Sequence, residues 1–306
     1  MSTPGPDLAG RVALVTGSTG GLGFELARSL ARRGATVLAG CRSHERFETA
    51  RSTVAASDGA AAAARWQPAR ADLALDAEVE RLAADLIASG PAFDFVFLNA
   101  GIHDVAHGLT ADGHERTFAA NYLGHFRLLH RLAAAHRLVP EARIVSSQSE
   151  AVHSNPFARA AIDVLERPES TALGRRLWRA TASPNTKVLL ALMAIEWTRR
   201  TAGTALAGTT FLGASPGPLR TGNVEQPGLA MALMRRLAPL LLRPAATGAE
   251  LLAWVATAPE LAGRGGAVYG RDRRPVRLRA VARDPETARR AWEVTERTLG
   301  LPPLVL

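Results

Sequence analysis

The stretch Val12-Ala13-Leu14-Val15-Thr16-Gly17-Ser18-Thr19-Gly20-Gly21-Leu22-Gly23 decides how the rest of the chain is read. An apolar run of strand length, 12–16, leads into glycines at 17, 21 and 23. A helical pattern then covers 22–33, where Gly34 stops it. Strand, tight glycine turn and helix start form an anion cradle. Side chains in the turn would hold a pyrophosphate away from the free N–H groups and positive dipole end of the helix. A glycine triplet alone carries little weight, but in the strand–turn–helix setting it predicts a dinucleotide site.

Strand-length apolar runs and helical patterns alternate outward from that unit. Strands are predicted at 36–40, 66–71, 93–98, 143–147, 209–214 and 266–269, and helices at 76–89, 112–138, 184–201, 245–258 and 285–299. Segment 60–64 is too alanine-rich to assign, 150–182 reads as irregular, and 216–244 as a loop with short helices. In helix 184–201, Ser183 is placed as N-cap and Pro184 at the first position. The expected fold is α/β, a single doubly wound Rossmann domain over 1–306. It has a seven-stranded, mostly parallel sheet with helices on both faces. Run 93–98 is almost wholly apolar, as a strand covered on both sides should be.

Composition narrows the classes. The chain has 306 residues, 47% hydrophobic and 21% charged, enough for a full core. One cysteine, Cys41, allows no internal disulfide. Segment 1–10 lacks the basic and apolar regions of a secretory signal, so a cytoplasmic location is expected. No apolar run reaches membrane-spanning length; 229–242 is broken by Arg235, Arg236 and Pro239. The net charge is +9, but the basic residues are scattered and form no block, so no nucleic-acid partner is expected. Of the 37 basic residues, 36 are arginine and one is Lys187.

The spacing Gly-x-x-x-Gly-x-Gly resembles the short-chain dehydrogenase/reductase family, and further landmarks agree in order. Asp72-Leu73 resembles the pair that contacts adenine. Asn99-Ala100-Gly101 resembles an Asn-Asn-Ala-Gly element whose first Asn is here Leu98. Asn121, in Asn-Tyr-Leu-Gly-His-Phe, matches the family's structural and catalytic asparagine. Segment 216–221 matches the Pro-Gly-x-x-x-Thr element that closes over nicotinamide, with Pro216, Gly217 and Thr221 in place. The resemblance spans roughly 10–300 and is nearest to the retinol dehydrogenase and protochlorophyllide reductase branch. It implies that Gly17, Ser18, Thr19, Gly21, Leu22, Gly23, Asp72, Leu73, Asn99, Ala100, Gly101, Lys187, Pro216, Gly217 and Thr221 bind the cofactor. At the end of the second strand, an acid would select NAD and a base NADP. Gly40-Cys41-Arg42 offers Arg42, whose guanidinium forks onto a phosphate, so NADP is expected.

In that family a tyrosine is the general acid/base, and a lysine four residues later lowers its pKa. A serine polarises the carbonyl, and an asparagine holds a water linked to the lysine. Lys187 stands at the lysine position, but four residues earlier is Ser183; the only tyrosines are Tyr122 and Tyr269. The expected serine is Ser149, with Ser147 as fallback. An aliphatic hydroxyl cannot replace a phenol as an acid. Glu150 and His153 are therefore candidate acid/bases beside Ser149, Asn121, Lys187 and Ser183, and His103 and Asp104 lie near the expected mouth. His114, His125, His130 and His136 are placed on the long helix. No metal-ligand spacing is present. Segment 216–245, with Leu229, Met231, Leu233, Met234 and Leu237, is expected to be a lid over an apolar substrate. The expected function is an atypical NADP-dependent reductase or dehydrogenase of a hydrophobic carbonyl, alcohol or enone. Alternatives are a non-redox cyclase, dehydratase or isomerase that keeps NADP for positioning, and a silent binding protein. A homo-oligomer is compatible with the resemblance, because dimers and tetramers are common in that family.

Overall fold

Neighbouring residues of the central strands enter two different cores. In β1 (Val12–Val15), Leu14 faces one side of the sheet, while Ala13 and Val15 face the other. In β4 (Phe93–Leu98), Val96 and Leu98 join the first core, and Phe95 and Phe97 the second. This is the two-residue period of a pleated strand covered on both faces. Asp94 is the polar exception in β4. Its carboxylate accepts the Val12 N–H at 2.8 Å and Arg11 at 2.6 Å, tying β4 to the start of β1.

The computed structural model describes residues 6–102, 108–150, 152, 172–220 and 242–306. The other strands of the main sheet are β2 (Thr36–Cys41), β3 (Trp66–Arg70), β5 (Leu138–Ser147), β6 (Thr210–Ser215) and β9 (Val268–Gly270). They run in the order β3-β2-β1-β4-β5-β6-β9, with every pairing parallel. The chain reverses direction across the sheet between β1 and β4, and a doubly wound sheet opens its ligand crevice at that switch point. Helices α1 (Gly21–Arg32), α2 (His44–Asp58), α3 (Ala60–Ala64) and α8 (Ala245–Thr257) cover one face. The other carries α4 (Asp76–Ser89), α5 (Arg116–Phe118), α6 (Gly124–Ala134), α7 (Ala172–Thr201) and α9 (Pro285–Thr298). A short parallel pair, β7 (Leu219–Arg220) with β8 (Arg243–Pro244), joins the two ends of the expected lid segment. Residues 221–241 lie outside the described residues.

Three sequence expectations change, and one segment without a predicted element gains a helix. Segment 112–138 is not one helix. Gly113, at φ +81°, turns the chain, and the Glu115 carboxylate accepts the Phe118 N–H at 2.7 Å, starting the helix at Arg116. A π turn, Ala119–Leu123, interrupts it, and it ends at Ala134, before His136 at φ +54°. Only His125 and His130 of the four histidines are therefore helical. The strand expected at 143–147 begins earlier, at Leu138. Segment 44–58, for which no element was predicted, is α2, started by the Ser43 side chain accepting the Arg46 N–H at 3.3 Å.

The third change concerns Ser183. Helix α7 runs unbroken from Ala172, with Pro184 in its interior, so Ser183 is not an N-cap. A Ser-Pro pair reads alike at a helix start and within a helix, since proline only removes one N–H and crowds the preceding turn. Here the Thr186 hydroxyl donates to the Ser183 carbonyl at 2.7 Å, and the following turns bury Val188, Leu189, Leu192 and Trp197. That burial holds the helix through the defect.

Candidate active site

One cavity of about 630 Å³ opens at the C-terminal ends of β1, β2, β4 and β5, at the switch point. Its floor is the glycine turn. A Cβ on Gly17 would stand 2.8 Å from the Ala100 Cα, and one on Gly23 2.2 Å from the Gly17 carbonyl oxygen. Backbone fills those positions, so α1 packs directly on β1 and presents its first turn to the cavity. That end of α1 has no side-chain cap and no acidic residue in its first turn. An uncapped helix start behind a glycine floor is the donor set that a pyrophosphate fits.

Most of the expected cofactor residues converge here. Gly17, Thr19, Gly21, Leu22, Gly23, Arg42, Asp72, Leu73, Asn99, Ala100, Gly101, Lys187, Pro216 and Gly217 all line the cavity. Ser18 does not. It is fully buried, and its hydroxyl donates to the Gly40 carbonyl at 3.1 Å, bracing β1 against β2. Thr221 lies outside the described residues. Arg46, four residues after Arg42 on the first turn of α2, also lines the cavity. Sequence reasoning missed it because it had not found α2; the Ser43 cap was the available signal. Both arginines are exposed, and no carboxylate pairs with either among the described residues.

Behind the floor, one buried network joins the glycine turn to the π turn and the start of α6. The Asn99 and Ala100 N–H groups donate to Thr16 Oγ1 at 2.9 and 3.0 Å, and Asn99 Nδ2 donates to the Thr16 carbonyl at 3.0 Å. His125 Nδ1 lies 3.1 Å from the Asn121 carbonyl and Nε2 lies 2.9 Å from Thr16 Oγ1. A carbonyl only accepts, so Nδ1 carries the proton; a neutral ring leaves Nε2 as an acceptor, which shares the one Thr16 hydroxyl hydrogen with the Phe97 carbonyl, 3.0 Å from Oγ1. Burial holds His125 neutral, its pKa pushed down to about 4, with nearby Lys187 adding to the effect. The Asn121 side chain accepts the Ile102 N–H at 2.7 Å and donates to the Ile102 carbonyl at 3.0 Å. It thereby anchors the segment after β4. The π turn sets Asn121 in place, a local irregularity often found at functional sites.

The expected catalytic residues separate into three groups. Asn121, Ser183 and Lys187 line the cavity, the last two one helical turn apart on α7. Lys187 Nζ donates to the Ser147 carbonyl at 2.6 Å, and burial pushes its pKa down to about 8. Ser147, the fallback serine, lines the cavity with Gln148; Ser149, two residues beyond β5, is half-buried and outside the lining. Glu150 is exposed, with Oε1 3.9 Å from where a Gly217 Cβ would stand, at the rim. His153, His103 and Asp104 lie outside the described residues. The tyrosines are elsewhere. The Tyr122 hydroxyl is buried against Thr295 Oγ1 at 2.9 Å, and Tyr269 packs edge-on against Trp254. Arg116 was not anticipated and also lines the cavity.

Known proteins agree with this geometry. The family model described as short chain dehydrogenase matches residues 11–161. Human dehydrogenase/reductase SDR family member 13 is 32% identical over 302 residues, covering 97% of this chain and 75% of that protein. A solved structure from Mycobacterium paratuberculosis aligns over 98% of this chain and 97% of its own, with TM-score 0.71 and 26% identity. A Burkholderia cenocepacia short chain dehydrogenase solved in complex with NADP aligns over 86% of this chain and 97% of its own. Its TM-score is 0.60 and its identity 25%. With its glycine floor, its Asn121 and its Lys187 arranged as above, the chain belongs to the short-chain dehydrogenase/reductase family.

Proposed function

We propose that this oxidoreductase uses NADP to reduce or oxidise a hydrophobic small-molecule carbonyl, alcohol or enone, with Ser183 in place of the family's tyrosine. The observation that carries the reading is a single cavity running from the glycine floor past Arg42 and Arg46 to Ser183 and Lys187. Two guanidiniums at the end of β2, where an acid would favour a ribose 2′-hydroxyl, suit the 2′-phosphate of NADP. Bound there, NADP supplies or accepts a hydride at its nicotinamide. The chain's own residues hold the diphosphate at the start of α1 and support the nicotinamide end through Lys187, Asn121, Pro216 and Gly217. The apolar composition of 223–244 supports a hydrophobic substrate. Membership of an oxidoreductase family favours redox chemistry over the non-redox alternative.

Titration with NADPH and NADH, followed by nicotinamide fluorescence, tests the cofactor assignment. NADPH binds more tightly, and Arg42→Ala with Arg46→Ala removes at least about tenfold of that preference, the equivalent of one charge-assisted contact. Equal affinity for the two cofactors in the parent protein refutes NADP selectivity. Failure to bind either refutes the functional reading.

A further inference from the structure

We propose that Lys187 is itself the proton donor of this active site, acting through the space left open beside Ser183. This rests on the oxidoreductase reading and extends it to the proton. Residues four apart on a helix share a face, so a phenol at 183 would lie over the lysine amine. With serine there, both residues line the same cavity. Nζ uses one N–H on the Ser147 carbonyl at 2.6 Å, which leaves the other hydrogens of an ammonium for a substrate oxygen or a water.

The remaining ionisable groups of the lining are poor donors at this end. Among the described residues they are Cys41, Arg42, Arg46, Asp72 and Arg116. Cys41 and Arg42 stand at the end of β2, Arg46 on the first turn of α2 and Asp72 just after β3, and Lys187 faces β5. With β1 and β4 between, three inter-strand spacings, about 14 Å, separate β2 from β5. Arginine does not release its proton in this pH range. From the packed elements, neutral His125 on α6 acts on Lys187 electrostatically, the Ser147 carbonyl on β5 accepts its N–H, and Asn121 in the π turn lines the same cavity. Ser183 faces it from its own helix, and Arg116 lines the same cavity. Among the described residues none of these is an anion that would hold the ammonium charged, and burial lowers its pKa to about 8. A donor poised near the working pH transfers protons most effectively.

In the reducing direction the substrate C=O π bond breaks. Its carbon takes a hydride from the reduced nicotinamide, which is oxidised, and its oxygen takes a proton from the Lys187 ammonium. The neutral amine then regains a proton from water.

Lys187 is the only lysine in the chain, so protein grown on lysine labelled at the ε-carbon and Nζ gives one lysine side-chain NMR signal. Its titration midpoint is expected near 8 in the protein without ligand; a midpoint near 10.5 overturns the proposal whatever the activity. Consumption of NADPH with a series of aromatic and aliphatic aldehydes is then measured against pH. The reductive kcat/KM should fall above the same midpoint. Lys187→Arg keeps the charge but cannot donate. At saturating NADPH its kcat should fall about 100-fold or more, a readout that any weakening of cofactor binding does not enter. Lys187→Met serves if the arginine disturbs folding. Undiminished turnover in a variant that binds NADPH overturns the proposal and leaves the oxidoreductase reading intact. Absence of NADPH binding in the parent protein defeats both; binding without its oxidation by any of the aldehydes overturns this proposal and leaves the oxidoreductase reading to alcohols and enones.

Discussion

Replacing His125 with asparagine should remove a specific part of the acid sensitivity of folding. Native His125 is fully buried with a pKa near 4, against 6.5 for a free imidazole. Between those values the unfolded chain carries a proton at this position and the native one does not. The unfolded state therefore binds more protons, and stability falls as pH drops from about 6.5 towards 4. The contribution is fully present above 6.5. A shift of 2.5 units corresponds to about 3 kcal/mol at most, of which about 2.5 is lost by pH 4.5. Urea unfolding of the parent protein and His125→Asn at steps from pH 7.5 to 4.5 isolates this share. Carboxylates held low by arginines, such as Asp58 and Glu80, titrate alike in both proteins. The stability gap between the two proteins should narrow by roughly 2 to 3 kcal/mol over that range. Parallel pH curves would refute the neutral, Nδ1-protonated His125 and with it the link from Thr16 to the Asn121 carbonyl.

Gly23→Ala should lower stability by about 1–3 kcal/mol in thermal or urea unfolding, because the new methyl meets backbone on Gly17 and the bound amide of Asn99. Gly20→Ala, with nothing within 4 Å of its Cβ, should cost only a few tenths of a kcal/mol. Glu296 accepts Trp292 Nε1 at 2.7 Å and the Leu304 N–H at 2.9 Å. Glu296→Ala should cost about 2–4 kcal/mol and raise hydrogen exchange at Leu304, as the C-terminal tail loses its anchor. Ser183→Tyr should raise NADPH-dependent ketone reduction if Asn121 and Lys187 are otherwise competent; no gain across a series of ketones would refute the serine-for-tyrosine reading.

Legibility followed locality. The glycine turn, the strand that feeds it and apolar β4 were clear because each depends on a few adjacent residues and a period of two. Helices with well-marked ends, such as α4 and α9, were placed within a residue. Helix α2 was not read, because Phe47, Ala50 and Val54 are its only buried side chains among polar and alanine positions. The long helix was overextended at both ends, since neither the turn at Gly113 nor the left-handed His136 breaks an apolar pattern. At the site, motif spacing named Asn121, Ser183 and Lys187, which line the cavity, and Ser149, which lies just outside its lining next to Ser147 and Gln148.

The order of chemistry along the chain was thus written in the sequence: a phosphate cradle, an arginine after the second strand, an asparagine, and one lysine with serine four residues before it. Which groups share a cavity was decided by tertiary structure, because strand order brings together residues more than 160 positions apart. Packing also made Ser18 a brace rather than a ligand, brought Arg46 to the cavity, and carried α7 unbroken through Pro184. The bond from Lys187 to the Ser147 carbonyl joins α7 to β5, and no local pattern in either segment encodes it.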